Sequence, residues 1–448
     1  MRTTRINNAI CMVAIVIGTI AGWALWNQPA IEPAWPDSVR GFAYAPLQRG
    51  HSPERSDQPS AADIETDLAI LAATTDAVRT YSIDDAWASI PALAAEHGLT
   101  VTTGVALDGD LERNAARIDS LAAVAAQARN VERAIVGNET LLTAALTTDE
   151  LIALLTRARQ TTPLAISTAE PWHIWLQYPA LAEHVDFITV HILPYWEGIA
   201  PTDAVDFVAD RMLELTSAFP DKPIVIGEVG WPSHGRSRGE ATASPADAEV
   251  FLRRFLERAD TEGWEYFLME AFDQPWKRAI EGEVGAYWGI YDAYRAPKFD
   301  LTGPVFPQRD WTPLAVVAAL LASIAFSLLV ADGRRIRAAG RMFCAAVATG
   351  IATLGVWGIS VHAPVYWSAL DVLGGAVLLL GLIGIVVLVL VEIHEWVESL
   401  WCARAAKSAP DGASSTARLP MVSIHVPAYD EPPELLAETL RALADLDY

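Results

Sequence analysis

Apolar and polar positions are divided along this chain on two scales. On the coarse scale, nearly charge-free apolar runs occupy Ala9–Trp26, Pro313–Ala331, Met342–Val361 and Leu370–Ile393. Each is about long enough to cross a bilayer core. On the fine scale, residues 28–310 alternate short apolar runs with amphipathic stretches. The strand candidates are Gly41–Ala45, Ala77–Tyr81, Thr100–Ala106, Ala134–Val136, Leu164–Thr168, Val185–His191, Ile224–Gly227 and Tyr266–Met269. Helical spacing recurs over Ala61–Ala73, Asp84–His97, Asn114–Arg129, Thr148–Gln160, Asp203–Phe219 and Ser244–Glu262, and only the fifth connection is short and irregular. Several of these stretches open on capping residues, as at Thr148 with Asp149–Glu150 and at Ser244-Pro245. Eight strand–helix repeats over roughly 280 residues predict an α/β fold, a (β/α)8 TIM barrel flanked by transmembrane helices. A doubly wound open sheet is the alternative, but no glycine-rich phosphate turn follows the first strand.

The flanks suggest an orientation. Arg2 and Arg5 precede the first apolar run, DGRRIRAAGR (Asp332–Arg341) separates the second and third, and CARAAK (Cys402–Lys407) follows the fourth. The positive-inside rule puts all three in the cytoplasm, and four spans satisfy the alternation. The barrel then lies outside the cytoplasmic membrane, which in a double-membraned bacterium is the periplasm. Residues 1–27 are read as an uncleaved anchor, 28–310 as the barrel, 311–400 as three transmembrane helices, 401–420 as a cytoplasmic linker and 421–448 as the start of a further domain. A cleaved signal peptide is the rival reading of the first run, although no small-x-small site follows it. Trp357, Trp367, Trp396 and Trp401 are read as interfacial anchors.

Composition sharpens this picture in three ways. A chain of 448 residues that is 52% hydrophobic yet carries net charge −23 must segregate the two properties. The acidic middle argues against nucleic acid as a partner, because phosphates would be repelled. Cys11, Cys344 and Cys402 all lie outside that middle, so the barrel folds without disulfides. Sixteen tryptophans outnumber the phenylalanines and the tyrosines, and many fall in loops.

In a (β/α)8 barrel chemistry sits at the C-terminal ends of the strands. Those ends supply Arg79 and Tyr81, Asn138 and Glu139, Glu170 and Trp172, and His191 with Tyr195, Trp196 and Glu197. Glu228 with Trp231 follows strand seven; Glu270, Asp273, Trp276 and Lys277 follow strand eight, and Trp288 lies beyond. Carboxylates and tryptophans thus converge on one rim, a composition suited to sugar: aromatic faces stack on pyranose rings and carboxylates do acid–base work. Glu139 and Glu228 sit where a retaining glycosidase needs a close carboxyl pair. The bland alternative, two loop carboxylates paired to nearby cations, fits an isolated glutamate better than two in G-N-E and G-E-V-G-W contexts. Glu170, Glu197 and Glu270 fit a supporting acceptor as well as a substrate contact. Trp172, Trp175, Trp196, Trp231, Trp276 and Trp288 are expected to stack on sugar; Trp87 and Trp264 are expected to pack. Gly227 and Gly230 are expected to let the backbone turn where a sugar approaches. No metal is expected: His173 and His191 lack a His-x-x-x-His partner, and HEWVE at His394 ends in Glu.

FAYAP (Phe42–Pro46), VRTYS (Val78–Ser82), IVGNE (Ile135–Glu139), STAEPWH (Ser167–His173), VHILPYWEG (Val190–Gly198), GEVGWPSHGR (Gly227–Arg236) and MEAFDQPWK with YWGIYDAYRAPKF (Met269–Lys277, Tyr287–Phe299) resemble glycoside hydrolase family 17. Within it they are similar to the bacterial branch fused to membrane glycosyltransferases. The resemblance covers residues 40–300. It implies a β-1,3-glucan substrate, a retaining mechanism without cofactor, Glu139 as acid/base and Glu228 as nucleophile, and leaves hydrolysis against transglycosylation open. A barrel that only binds and guides glucan is the reading from another class. After the linker, MVSIHVPAYDEPPELLAETLRALADLDY predicts a buried strand (Val422–Val426) and an amphipathic helix (about Pro433–Leu446), and resembles the opening of a family 2 glycosyltransferase. Asp430 stands where that family has asparagine. A nucleotide sugar and a divalent metal would belong to the remainder of that domain, so 421–448 is expected to carry no transferase activity. The whole resembles the N-terminal part of a bifunctional β-glucan synthase, whose partners would be a β-glucan and the lipid bilayer. A transglycosylase is the expectation, since a plain hydrolase would destroy the synthase's product.

Overall fold

The computed structural model describes residues 2–53, 58–300, 302–331, 336–363, 366–402 and 423–445. Eight parallel strands close a barrel: β1 (Phe42–Ala43), β2 (Ala77–Arg79), β3 (Thr100–Val105), β4 (Val131–Asn138), β5 (Ala165–Pro171), β6 (Ile188–His191), β7 (Ile224–Val229) and β8 (Glu265–Leu268). β1 pairs with both β2 and β8, which leaves no edge. All eight predicted strands are present, and the differences lie at their ends. β4, β5 and β7 run two or three residues further toward the rim than their apolar runs suggested, carrying polar side chains into the ladder.

Alternation along the strands separates two cores. Ala43, Ile135, Ala169, Val225 and Phe267 pack together inside the barrel. Their neighbours Phe42, Ala134, Val136, Ile226 and Leu268 belong to the larger cluster that meets the helices. The predicted helices form, most opening on side-chain caps at Ser60, Asp110, Thr147 and Ser244. The stretch 84–97 divides into a 3-10 turn (Asp85–Ser89) and a helix (Ile90–Glu96), because Pro91 has no N–H with which to continue the first turn. The irregular fifth connection is two short pieces, Trp172–Gln177 and Pro179–His184.

Among the described residues, four helices are long and apolar enough to cross a membrane: Arg2–Trp26 (over Arg5–Trp26), Trp311–Leu329, Ala338–His362 and Ala369–Trp401. The first three pack through small residues that allow close approach, Ala322, Ala345 and Ala348 beside Cys11 and Ile15, and Ala315 and Ala318 beside Trp23. The chains entering and leaving the barrel form an antiparallel pair, Ala30–Ile31 with Pro304–Val305. Beneath it Arg253 donates to the carbonyls of Pro33, Glu32 and Gly303, while Arg254 grips the Glu32 carboxylate at 2.6 Å.

The basic residues Arg334 and Arg335 and most of the 401–420 linker lie outside the described residues. The expected strand Val422–Val426 is corrected over its described part. Ser423–Val426 carry no strand pairing and Ile424 is exposed, since a parallel strand needs a neighbour to bond. The helix that follows does form, over Pro433–Ala444, with no buried residue.

Candidate active site

The strand ends that carry chemistry are the irregular ones. Of the four register shifts in the barrel, three fall at Ile135/Asn138, Val190/His191 and Ile226/Val229. Such bulges re-aim side chains at a barrel rim. Here they bring Glu139, His191 and Glu228 together, with a donor atom of each within 4.8 Å of the others. Glu139 itself has φ +54°, the left-handed region that costs a non-glycine residue energy and often marks functional geometry.

Histidine bridges the pair. His191 Nδ1 lies 3.0 Å from Glu139 Oε1, and its Nε2 lies 3.5 Å from Glu228 Oε1. The two carboxylates differ in their surroundings, for the Glu139 side chain is 30% exposed and that of Glu228 only 7%. Buried Arg79 reaches across from β2, donating from Nη1 to Glu228 Oε1 at 3.0 Å and to the Gly227 carbonyl at 2.7 Å. Its Nη2 donates to Asn138 Oδ1. Burial alone would raise the Glu228 pKa. The charges of His191, Arg79 and Lys277 and the Tyr81 hydroxyl outweigh that and hold it below the ordinary glutamate value. Burial, then the Glu228 charge, push the Tyr81 hydroxyl well up, so it stays a donor.

A cleft of about 930 Å³ opens over this group. Of the expected site residues, Tyr81, Asn138, Glu139, Trp172, His191, Trp196, Glu197, Glu228, Trp276 and Lys277 line it. Trp172 donates to Glu197 at 3.3 Å, and Lys277 pairs with Glu270 at 2.9 Å. Burial, opposed by Lys277, raises Glu270 to about 7.

Several expectations need correcting. Tyr195, Trp231 and Trp288 do not face the cleft; each is at most 1% exposed. They form one buried aromatic cluster behind it, with Trp231 against Phe251 and donating to the Thr242 carbonyl. Trp175 is likewise buried, donating to the Thr189 carbonyl. Rim position in the sequence does not fix side-chain direction: these rings turn in between strand ends and helices, where their area is dry. Glu170, also buried, accepts from the Leu141 and Leu142 amides and the Thr140 hydroxyl, bracing the loop after Glu139. Asp273 sits behind the cleft between Lys298 and the Gly289 amide, and Glu270 and Arg79 likewise act from behind. Both glycines are required by close packing. A Cβ at Gly227 would strike Thr189 and crowd Arg79, and one at Gly230 would collide with the Met269 carbonyl.

Trp87 packs against the core, as expected, and it also lines the cleft beside Asp84, Asp85 and Arg117. His173, Arg238 and Glu281 line it as well. Trp87 stands six residues after Tyr81, in the loop that follows β2, and that position was the available signal. Among the described residues, Glu139, His191 and Glu228 are also the group that could hold a metal ion. Arg79 and Lys277 already face Glu228, so a cation would enter against like charge.

Residues 41–289 match the BtgE/BtgC glycoside hydrolase domain. A glucan 1,3-beta-glucosidase of Arthroderma benhamiae is 30% identical over 270 residues, 56% of this chain and 87% of that protein. The glucan 1,3-beta-glucosidase of Schizosaccharomyces pombe is 27% identical over 258 residues, 53% of this chain and 80% of its own length. Among solved structures, the family 17 beta-1,3-glucanosyltransferase of Rhizomucor miehei shares the fold with a TM-score of 0.53 at 22% identity, over 59% of this chain and 98% of that one. An endo-laminarinase from Formosa superposes at 0.51 over 57% of this chain and 83% of that one, also at 22% identity.

Proposed function

The chain belongs to the BtgE/BtgC glycoside hydrolase domain family, and from that premise we propose that its barrel opens β-1,3-glucan with retention and passes the glycosyl unit to another sugar. The observation that carries the reading is the close carboxylate pair. Oxygens of Glu139 and Glu228 lie within 4.8 Å, near the 5–5.5 Å of retaining sites and short of the roughly 6.5–9.5 Å that leaves room for an inverting water. Glu228, held ionised by Arg79 and His191, attacks the anomeric carbon. The glycosidic C–O bond breaks as Glu139, the more open carboxyl, gives its proton to the leaving oxygen. Glu139 then takes a proton from an incoming hydroxyl, whose oxygen displaces Glu228 from the anomeric carbon. Water as the incoming group gives hydrolysis; a sugar hydroxyl gives transfer. The relatives' names include both a glucosidase and a glucanosyltransferase, which supports the substrate class.

Laminari-oligosaccharides test this directly. NMR of the first-formed product should show the β-anomer, and chromatography should show products longer than the substrate. An α-anomer first would rule out retention, and glucose with short oligomers alone would rule out transfer. Under the guide reading, Glu228→Gln would leave function intact; catalysis demands loss of turnover with binding kept. The same proposal sets the barrel on the periplasmic side of a bacterial inner membrane, beside a glucan made by the family 2 synthase that residues 421–448 resemble. The four apolar helices and the basic residues flanking them support it. Labelling of Cys402 by a membrane-impermeant thiol reagent, blocked in intact cells and free after lysis, would be the expected result.

A further inference from the structure

The turn Pro275–Lys277 and the short helix Arg278–Glu281 form one wall of the cleft, to which they contribute Trp276, Lys277 and Glu281. This wall has few bonds to the barrel itself. Trp276 Nε1 donates to Gln274 Oε1, and Lys277 pairs with Glu270. Arg278 Nε also pairs with Glu283 at 2.6 Å on the turn that follows, and a further anchor comes from the membrane bundle. Asp371, in the first turn of the helix Ala369–Trp401, takes both ends of the Arg278 fork, at 2.8 and 3.1 Å. The same carboxylate closes the capping box with Ser368 that begins the helix, so one group both starts the membrane helix and grips the wall. Just before it, Tyr366 accepts Arg278 Nη1 at its carbonyl. The Tyr366 hydroxyl donates to Asp273 at 2.7 Å and accepts from the Ala293 amide at 2.8 Å. Its ring stacks on Tyr287, centroids 5.1 Å apart and planes within 13°. Tyr366 is buried in this contact.

The geometry points to a second role for this seat: Tyr366 and Asp371 are positioning residues for the cleft, completing its wall so that turnover depends on how the barrel sits on its membrane helices. The inference rests on the glucan reading of the cleft. Their reach is through Arg278, the immediate neighbour of Lys277. Lys277 faces Glu228 together with Arg79 on β2 and Tyr81 after it, Glu139 after β4 and His191 on β6, with Glu270 and Glu281 beside it. A wall that drifts carries Trp276 off the sugar and Lys277 off Glu228. Displacements of about 1 Å at reacting groups cost on the order of 10²-fold in rate.

The test uses the full chain in detergent or nanodiscs with laminari-oligosaccharides. Asp371→Ala and Arg278→Gln should each lower kcat/KM by about 10- to 100-fold. The double variant should be no worse than either, and Asp371→Glu should recover part of the loss. The acid limb of kcat/KM should move to higher pH as Lys277 draws away from Glu228, and hydrogen exchange should quicken over residues 275–286. A merely structural seat would lower thermal stability and leave the acid limb and KM in place; that result, or additive losses, overturns the inference while wild-type turnover upholds the glucan reading. A wild-type chain without turnover overturns both.

Discussion

Arg79 offers the sharpest quantitative test of the site. Replacing it by methionine removes the cation 3.0 Å from Glu228 and leaves the Gly227 carbonyl and Asn138 Oδ1 without their donor. Both charges are buried, with side-chain exposures of 1% and 7%. Breaking such a pair from one side costs about 3–5 kcal/mol, because the remaining charge stays buried and uncompensated. Arg79→Lys keeps the charge but cannot span three acceptors with a fork, and one charge-assisted bond lost costs about 2 kcal/mol. At about 2–4 °C per kcal/mol for a domain of this size, methionine should lower Tm by on the order of 10 °C and lysine by about half that. The pH dependence has a definite sign. A carboxylate whose folded pKa is depressed stabilises the fold above its ordinary value of 4.5 and loses that contribution as pH falls through the folded pKa. The gap between wild type and Arg79→Met should therefore be full at pH 7 and shrink below about pH 4.5. Circular dichroism melts across pH 3.5–7.5 measure this, and the acid limb of kcat/KM should rise in the methionine variant and stay in place with lysine. A methionine variant that melts within a degree or two of wild type at pH 7, or a gap that widens on acidification, refutes the reasoning.

Glu139→Gln should lower kcat on oligosaccharides by about 10²–10⁴-fold and lower it far less on aryl glucosides with good leaving groups, as steady-state assays on the two substrates would show. Glu270 predicts an opposite pH trend: with its folded pKa raised from 4.5 to about 7, its contribution is full below pH 4.5 and gone above about 7. Wild type should lose about 3 kcal/mol over that interval relative to Glu270→Gln, measured by melts from pH 4 to 8. Gly230→Ala should destabilise the barrel by about 1–3 kcal/mol, because its Cβ would meet the Met269 carbonyl just after β8 and the backbone must shift; a differential melt checks it.

The barrel was legible because its period was. Apolar runs such as Val185–His191 and Ile224–Gly227 can only be buried strands, and amphipathic stretches such as Thr148–Gln160 can only face them. Glu139 and Glu228 were legible for a related reason, as charges placed where a buried run ends. The cleft's aromatic lining was legible only in part: Trp172, Trp196 and Trp276 line it as their positions suggested, and Trp175, Trp231 and Trp288 do not. Trp231 and Trp87 both follow strands, yet one turns behind the sheet and the other into the cleft, a choice made by packing against Phe251 and Tyr81. The bulges at β4, β6 and β7 left no mark in hydrophobic period, because one extra residue at a strand's end alters no run. Nor could sequence spacing reveal that Tyr366, 79 residues after Tyr287, stacks on it.

The paired connectors Ala30–Ile31 and Pro304–Val305 have an architectural consequence. Both ends of the barrel are gathered at a single strand spacing, and Asn27 Oδ1 accepts the Gln308 amide at 2.8 Å between the ends of the two apolar helices. The two helices that carry them, Arg2–Trp26 and Trp311–Leu329, thus form a hairpin into whose turn about 280 residues have been spliced. A short loop joining Asn27 to Gln308 would restore the hairpin, and the helices would keep their neighbours. Equally, another enzyme whose termini lie side by side could be written into the same turn. The barrel is thus a cassette set into an apolar helix hairpin, and the Tyr366 contacts with Tyr287, Asp273 and Ala293 tie it to the following helices at a second place.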